Sequence, residues 1–98
     1  MANPFATETE LLVLRLLRDE PAGMYGLQLV EASDGRLKRG TVYVTLGRLE
    51  EKGFIESRTK HHAKHAGLPR PMYRLNATGE RALAAAEMMG FDVAGVSR

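Results

Sequence analysis

The chain has no cysteine among its 98 residues. That excludes a disulfide framework, a thiolate zinc site and a cysteine nucleophile together, so the fold must rest on packing alone. Tryptophan is also absent, and aromatic residues make up only 6%. Large apolar residues run no further than the four from Leu11 to Leu14, far short of the roughly 20 a membrane-spanning helix needs. The start at Met1 carries no cationic, apolar, small-residue leader, and a cytoplasmic location without membrane attachment is expected. No Gly-rich phosphate loop, acidic pair or Ser/His/Asp grouping suggests a shared catalytic pocket. The chain is therefore expected not to be an enzyme and to need no cofactor.

What is present, at 44% hydrophobic and 27% charged residues, is the composition of an ordinary globular protein. A chain of this length makes one core with little stability to spare, which pairing with a second copy would relieve. The net charge of +2 gives no hint of a nucleic-acid partner, but its distribution does. Between Arg58 and Arg74 lie five basic residues (Arg58, Lys60, Lys64, Arg70, Arg74) and no acid. Arg36, Lys38 and Arg39 form a second basic cluster.

Thr7 with Glu10 reads as a capping box, opening a helix over about Glu8–Arg18 that stops before Pro21. Its apolar set, Leu11 to Leu14 with Leu16 and Leu17, is wider than one buried stripe requires and predicts a surplus face. A short second helix is expected over Tyr25–Ala32, with Leu27 and Val30 on its apolar side, closed by the turn pair Asp34-Gly35. The third helix is predicted over Thr41–Lys52, with Val42, Leu46 and Leu49 on one face and Thr41, Val44, Thr45 and Arg48 opposite. Gly53 fits its C-cap. Strands are expected at Phe54–Arg58 and Met72–Leu75, and a last helix over Gly79–Met89 capped by Thr78. The tail from Phe91 to Arg98 is apolar enough to dock on something.

The resulting order is that of a winged helix-turn-helix: a mainly α fold with a small β-hairpin, in which the third helix enters the major groove and the wing meets the neighbouring backbone. Thr41 and Thr45 are candidates for phosphate or base edges and Arg48 for a guanine. The plainer reading, solvated positions on an amphipathic helix, is outweighed by the basic clusters on both sides. Tyr43, at the boundary of the two faces, is either a core tyrosine or one whose hydroxyl reaches a phosphate. The basic wing residues offer affinity and salt dependence but no sequence information. His61, His62 and His65 lack a neighbouring carboxylate and a rigid frame, so no metal site is expected. Met24, Met88 and Met89 suit an adaptable apolar pocket, although core or interface packing is the commoner use. A winged-helix interaction module with an acidic partner is the alternative reading.

The run Arg39-Gly-Thr-Val-Tyr-Val-Thr-Leu-Gly-Arg-Leu-Glu-Glu-Lys-Gly-Phe-Ile resembles the signature of PadR-type regulators. Glu10-Leu-Leu-Val-Leu, Met24-Tyr-Gly-Leu and Tyr73-Arg-Leu-Asn-Ala-Thr-Gly extend the likeness over about Thr7–Leu83. The resemblance, to a form with a short C-terminal region, implies a winged helix-turn-helix domain over 1–76 and a C-terminal dimerisation helix and tail over 77–98. It implies a homodimer, usually a repressor, on a palindromic operator in double-stranded DNA, with a small apolar or phenolic effector as a further partner. The DNA contacts it implies are Arg39, Thr41, Tyr43, Thr45, Arg48, Lys60, Lys64 and Arg70. The dimer contacts are Leu12 and Leu16 of the first helix against Leu83, Ala86 and Met89 of the last. The flat tryptophan-lined drug site of some relatives cannot be carried over to a chain without tryptophan.

Overall fold

The structure is a computed structural model, which describes residues 7–60 and 70–89. Its elements run α1 (Glu8–Arg18), β1 (Met24–Tyr25), α2 (Gly26–Ala32), α3 (Arg39–Glu51), β2 (Ile55–Lys60), β3 (Arg70–Leu75) and α4 (Ala77–Met88). The strands form one antiparallel sheet in the order β1-β3-β2. The described fold is thus four helices with a three-stranded sheet, and the expected hairpin is its larger part.

α1 has the expected ends. Thr7 accepts a hydrogen bond from the Glu10 amide at 3.2 Å, and Glu10 Oε1 accepts one from the Thr7 amide at 2.7 Å, so two otherwise unpaired donors of the first turn are satisfied. The surplus apolar face is not found. α1 lies among α2, α3, α4 and β3, and Leu11, Leu12, Val13, Leu14 and Leu17 are all buried, with Leu16 half-buried. A helix at the centre of the fold needs an apolar surface on most of its circumference. Leu12, Leu83 and Ala86 accordingly belong to the chain's own core. Of the residues expected at a dimer contact, only Leu16 and Met89 keep appreciable exposure.

Met24 and Tyr25 form a strand paired with Tyr73 and Met72, so Tyr25 is not the start of the helix as expected. α2 therefore begins at Gly26; Leu29 is fully buried and Val30 half-buried against the core, while Leu27 is exposed. α3 starts two residues before the expected position, at Arg39, after an extended Lys38. Gly53 ends it with a φ of +78°, a conformation open to glycine without steric cost. The cap of α4 is Asn76 rather than Thr78. Its Oδ1 accepts from the Gly79 amide and its Nδ2 donates to the Gly53 carbonyl, both at 2.8 Å. One side chain thus fixes the last helix to the end of α3. At the far end of α4, Glu87 pairs with Arg18 at 2.9 Å and with Arg15 at 3.7 Å.

Candidate nucleic-acid interface

α3 is held from beneath and at both ends. Val42, Leu46 and Leu49 are fully buried. Before it, the buried Ser33 hydroxyl donates to the Val30 carbonyl at 2.7 Å and accepts from the Leu37 amide at 2.9 Å, shaping the turn from α2. After it, the Lys52 ammonium lies 2.9 and 3.1 Å from the two oxygens of Glu10, whose side chain is only 1% exposed. Burial alone would raise the pKa of that carboxyl; the Lys52 ammonium and the bonds from Thr7 outweigh it, and the net shift is downward. An ionised pair therefore joins the cap of α1 to the end of α3.

Tyr43 lies across α2. A Cβ at Gly26 would meet its ring at 2.6 Å, so glycine at that position is what lets the ring rest on the α2 backbone. Tyr43 as a whole stays 49% exposed, so it is packed on one side and open on the other. Tyr73 lies below in the sheet, its hydroxyl pKa raised by burial and by Glu50 and Tyr43.

The exposed side of α3 carries Arg39, Gly40, Thr41, Tyr43, Val44 and Arg48. Thr45 does not share it. The residue is 5% exposed, and its hydroxyl donates back to the Thr41 carbonyl at 3.0 Å. Its position borders the arc of Val42 and Leu49, and the core is broad enough to take it in. The outward line instead passes through Gly40, Val44 and Gly47, with no heavy atom within 4 Å of a Cβ built at either glycine. These two glycines carry no chemistry and were missed in the sequence; their only signal is glycine inside a helical pattern.

On the hairpin, Lys60 pairs with Arg70, Arg58 with Met72, and Glu56 with Arg74. Directly paired residues point to the same side of a sheet and neighbours alternate, so Arg58, Arg70 and Arg74 share one face. The other face carries Ile55, Ser57 and Tyr73, and the Ser57 hydroxyl donates to Glu50 of α3 at 2.7 Å. Arg70 is therefore on the side of the hairpin turned away from α3. The side chain of Lys60, together with Lys64 and the histidines at 61, 62 and 65, lies outside the described residues. So does the tail from Phe91. Among the described residues no helix is long and apolar enough to cross a membrane.

A profile of the transcriptional regulator PadR-like family matches residues 13–85, which takes in every described element after the first turns of α1 except the end of α4. The chain belongs to the PadR-like family of transcriptional regulators. Solved PadR structures agree. A PadR family regulator from Clostridium difficile is 27% identical, over 81% of this chain and 82% of that one, with a TM-score of 0.68. PadR from Bacillus subtilis, solved in complex with operator DNA, shares the fold with a TM-score of 0.74 at 22% identity, over 86% of this chain and 49% of that one. The fold also matches the PcaV regulator of Streptomyces coelicolor, solved with its natural ligand, with a TM-score of 0.71 at 23% identity, over 90% of this chain and 57% of that one. No curated protein sequence matches this PadR-like chain.

Proposed function

We propose that this chain is a dimeric, sequence-specific repressor that places α3 in the major groove of a palindromic operator. The observation that carries the reading is the division of α3. Its inward residues are committed to the core, and its outward residues through Arg48 are basic, small or hydroxyl-bearing apart from Val44, with no acid before Glu50. Arg39 stands at the helix N-terminus, where the helix dipole and free amides favour a phosphate. The operator complex of the Bacillus subtilis relative supports DNA as the partner.

In this reading Arg39 takes backbone phosphate, Thr41 a phosphate or base edge, the Tyr43 hydroxyl a phosphate, and Arg48 a guanine. Lys60, Lys64 and Arg70 supply the wing's attraction for the backbone. Pairing of two copies would use the end of α4, where Met88 is 88% and Met89 57% exposed, together with Leu16. The same end suits a small apolar or phenolic effector, and the ligand complex of the PcaV regulator supports effector control. The protein would act as a regulator without catalysis or cofactor, in the cytoplasm where the chromosome is reached.

Footprinting and anisotropy on duplex from the region upstream of its own gene test this at two salt concentrations. Two protected half-sites about 34 Å apart are expected, with affinity falling steeply as salt rises. A single unsymmetric half-site would overturn the dimer. Failure to bind any duplex at low salt would leave the basic surface to an acidic protein partner.

A further inference from the structure

Val44 stands in the middle of the exposed side of α3 with 53% of its surface open. Nothing among the described residues accounts for it. A β-branched residue is a poorer helix former than Ala or Leu, and at this exposure it contributes little burial. Gly40 and Gly47 lie four residues before it and three after, which makes them its neighbours on one helix face. Space is open at both, so neither glycine relieves crowding inside the fold. Bare backbone on either side of one compact apolar side chain suits close approach to a surface that offers a small apolar group.

The charge around it indicates which surface. Arg36, Lys38 and Arg39 precede Val44 in the chain and Arg48 follows it, while the acids nearest to it in sequence, Glu50 and Glu51, fall in the last turn, where Glu50 is engaged by Ser57. A polyanion fits these surroundings. In the major groove of DNA the base edges present hydrogen-bonding atoms and one apolar group, the 5-methyl of thymine.

We infer that Val44 reads the 5-methyl group of one thymine in each half-site, with Gly40 and Gly47 admitting the helix backbone close to the base edges. The inference rests on the DNA-binding reading above and names what the centre of that interface recognises.

The test uses the full chain and duplexes selected from a random pool. Each thymine of the selected duplex is replaced singly by deoxyuridine, which removes the methyl and leaves every hydrogen-bonding atom in place. One thymine per half-site is expected to be sensitive, losing about four-fold in affinity, the effect of a buried methyl-sized group. In Val44→Ala, whose helix content is checked by circular dichroism, that position becomes insensitive and the thymine duplex itself binds several-fold more weakly. A duplex that binds tightly with no sensitive thymine would overturn the inference and leave DNA binding standing. A sensitivity that persists undiminished in Val44→Ala would also overturn it. If no duplex is selected, the DNA-binding reading falls with it.

Discussion

α1 and α3 are helices of 11 and 13 residues that share one core, yet their sequences treat helix stability in opposite ways. α1 has a capping box, acids in its first turn (Glu8, Glu10) and bases in its last (Arg15, Arg18), each complementing the helix dipole. α3 has no side-chain cap, bases and no acid at its start (Lys38, Arg39), and a last turn in which the acids Glu50 and Glu51 are mixed with Arg48, so the dipole is opposed at one end and not complemented at the other. It also carries Thr41, Val42, Val44 and Thr45 in close succession and two glycines, all poor helix formers. A helix composed this way is held by its surroundings rather than by itself. The difference marks where the residues do least for the fold, at the start of α3 and along its outward line, which is where the proposed contact with DNA lies.

The largest test of that dependence is Lys52→Met, which leaves the buried Glu10 carboxylate without its ammonium. A loss of about 3 kcal/mol is expected from denaturant unfolding, because a buried charge stripped of its partner is costly. The acid limb of the parent's stability should follow from the same pair. The Glu10 pKa is lowered in the folded chain, so its contribution is present above the ordinary carboxylate value of about 4.3 and is lost as pH falls through the folded value. Lys52→Met should flatten that limb. A variant as stable as the parent at neutral pH would show that α3 needs no anchor on α1. Next in size is Gly26→Ala, in which the new methyl displaces the Tyr43 ring; a loss of about 1–3 kcal/mol is expected from overpacking, with weaker DNA binding.

The same two helices show what the sequence disclosed. The start of α1 was legible because a capping box is local chemistry, its end because Pro21 lies just beyond, and the inward face of α3 because Val42, Leu46 and Leu49 keep the helical period. Period gives the direction of a buried face but not its width, which neighbouring elements set. Hence α1, enclosed by α2, α3, α4 and β3, has no surplus face, and Thr45, on the rim of the α3 arc, is inside. β1 spans only Met24–Tyr25, too short for a period, and exists through pairing with distant Tyr73 and Met72. Asn76 prevailed over Thr78 as a cap through its bond to Gly53, a contact invisible to local reading. Of the candidate interface, the residue types and the helix were legible, but the side of the hairpin on which Arg70 lies, turned away from α3, required the strand register.

A smaller effect of opposite sign sharpens the comparison along the outward line. Gly47→Ala adds a methyl to open space in the interior of α3, and should stabilise the fold by about 1 kcal/mol. On thermal unfolding that is a rise of roughly 4–8 °C for a domain of this size. If the outward line is shaped for close approach, the same variant binds DNA more weakly, so stability and affinity move apart. A variant that is both more stable and equally tight would mean that glycine there serves no contact.

The smallest expected effect separates the two faces of α3 most cleanly. Thr45→Val keeps the shape of a residue that is 5% exposed and removes only a hydroxyl bonded to its own helix at the Thr41 carbonyl. That bond slightly disfavours a straight helix, and the carbonyl keeps its place in the backbone ladder, so stability should change by less than about 0.5 kcal/mol. DNA affinity should not change. Arg48→Ala, at an exposed position one turn away, should match it in stability while lowering affinity and relaxing preference at one base pair. The pair of variants thus holds the fold constant and moves only the outward face. If Thr45→Val weakened DNA binding as much as Arg48→Ala, α3 would have to turn about its axis on meeting DNA, and the division between a core face and a reading face would fail.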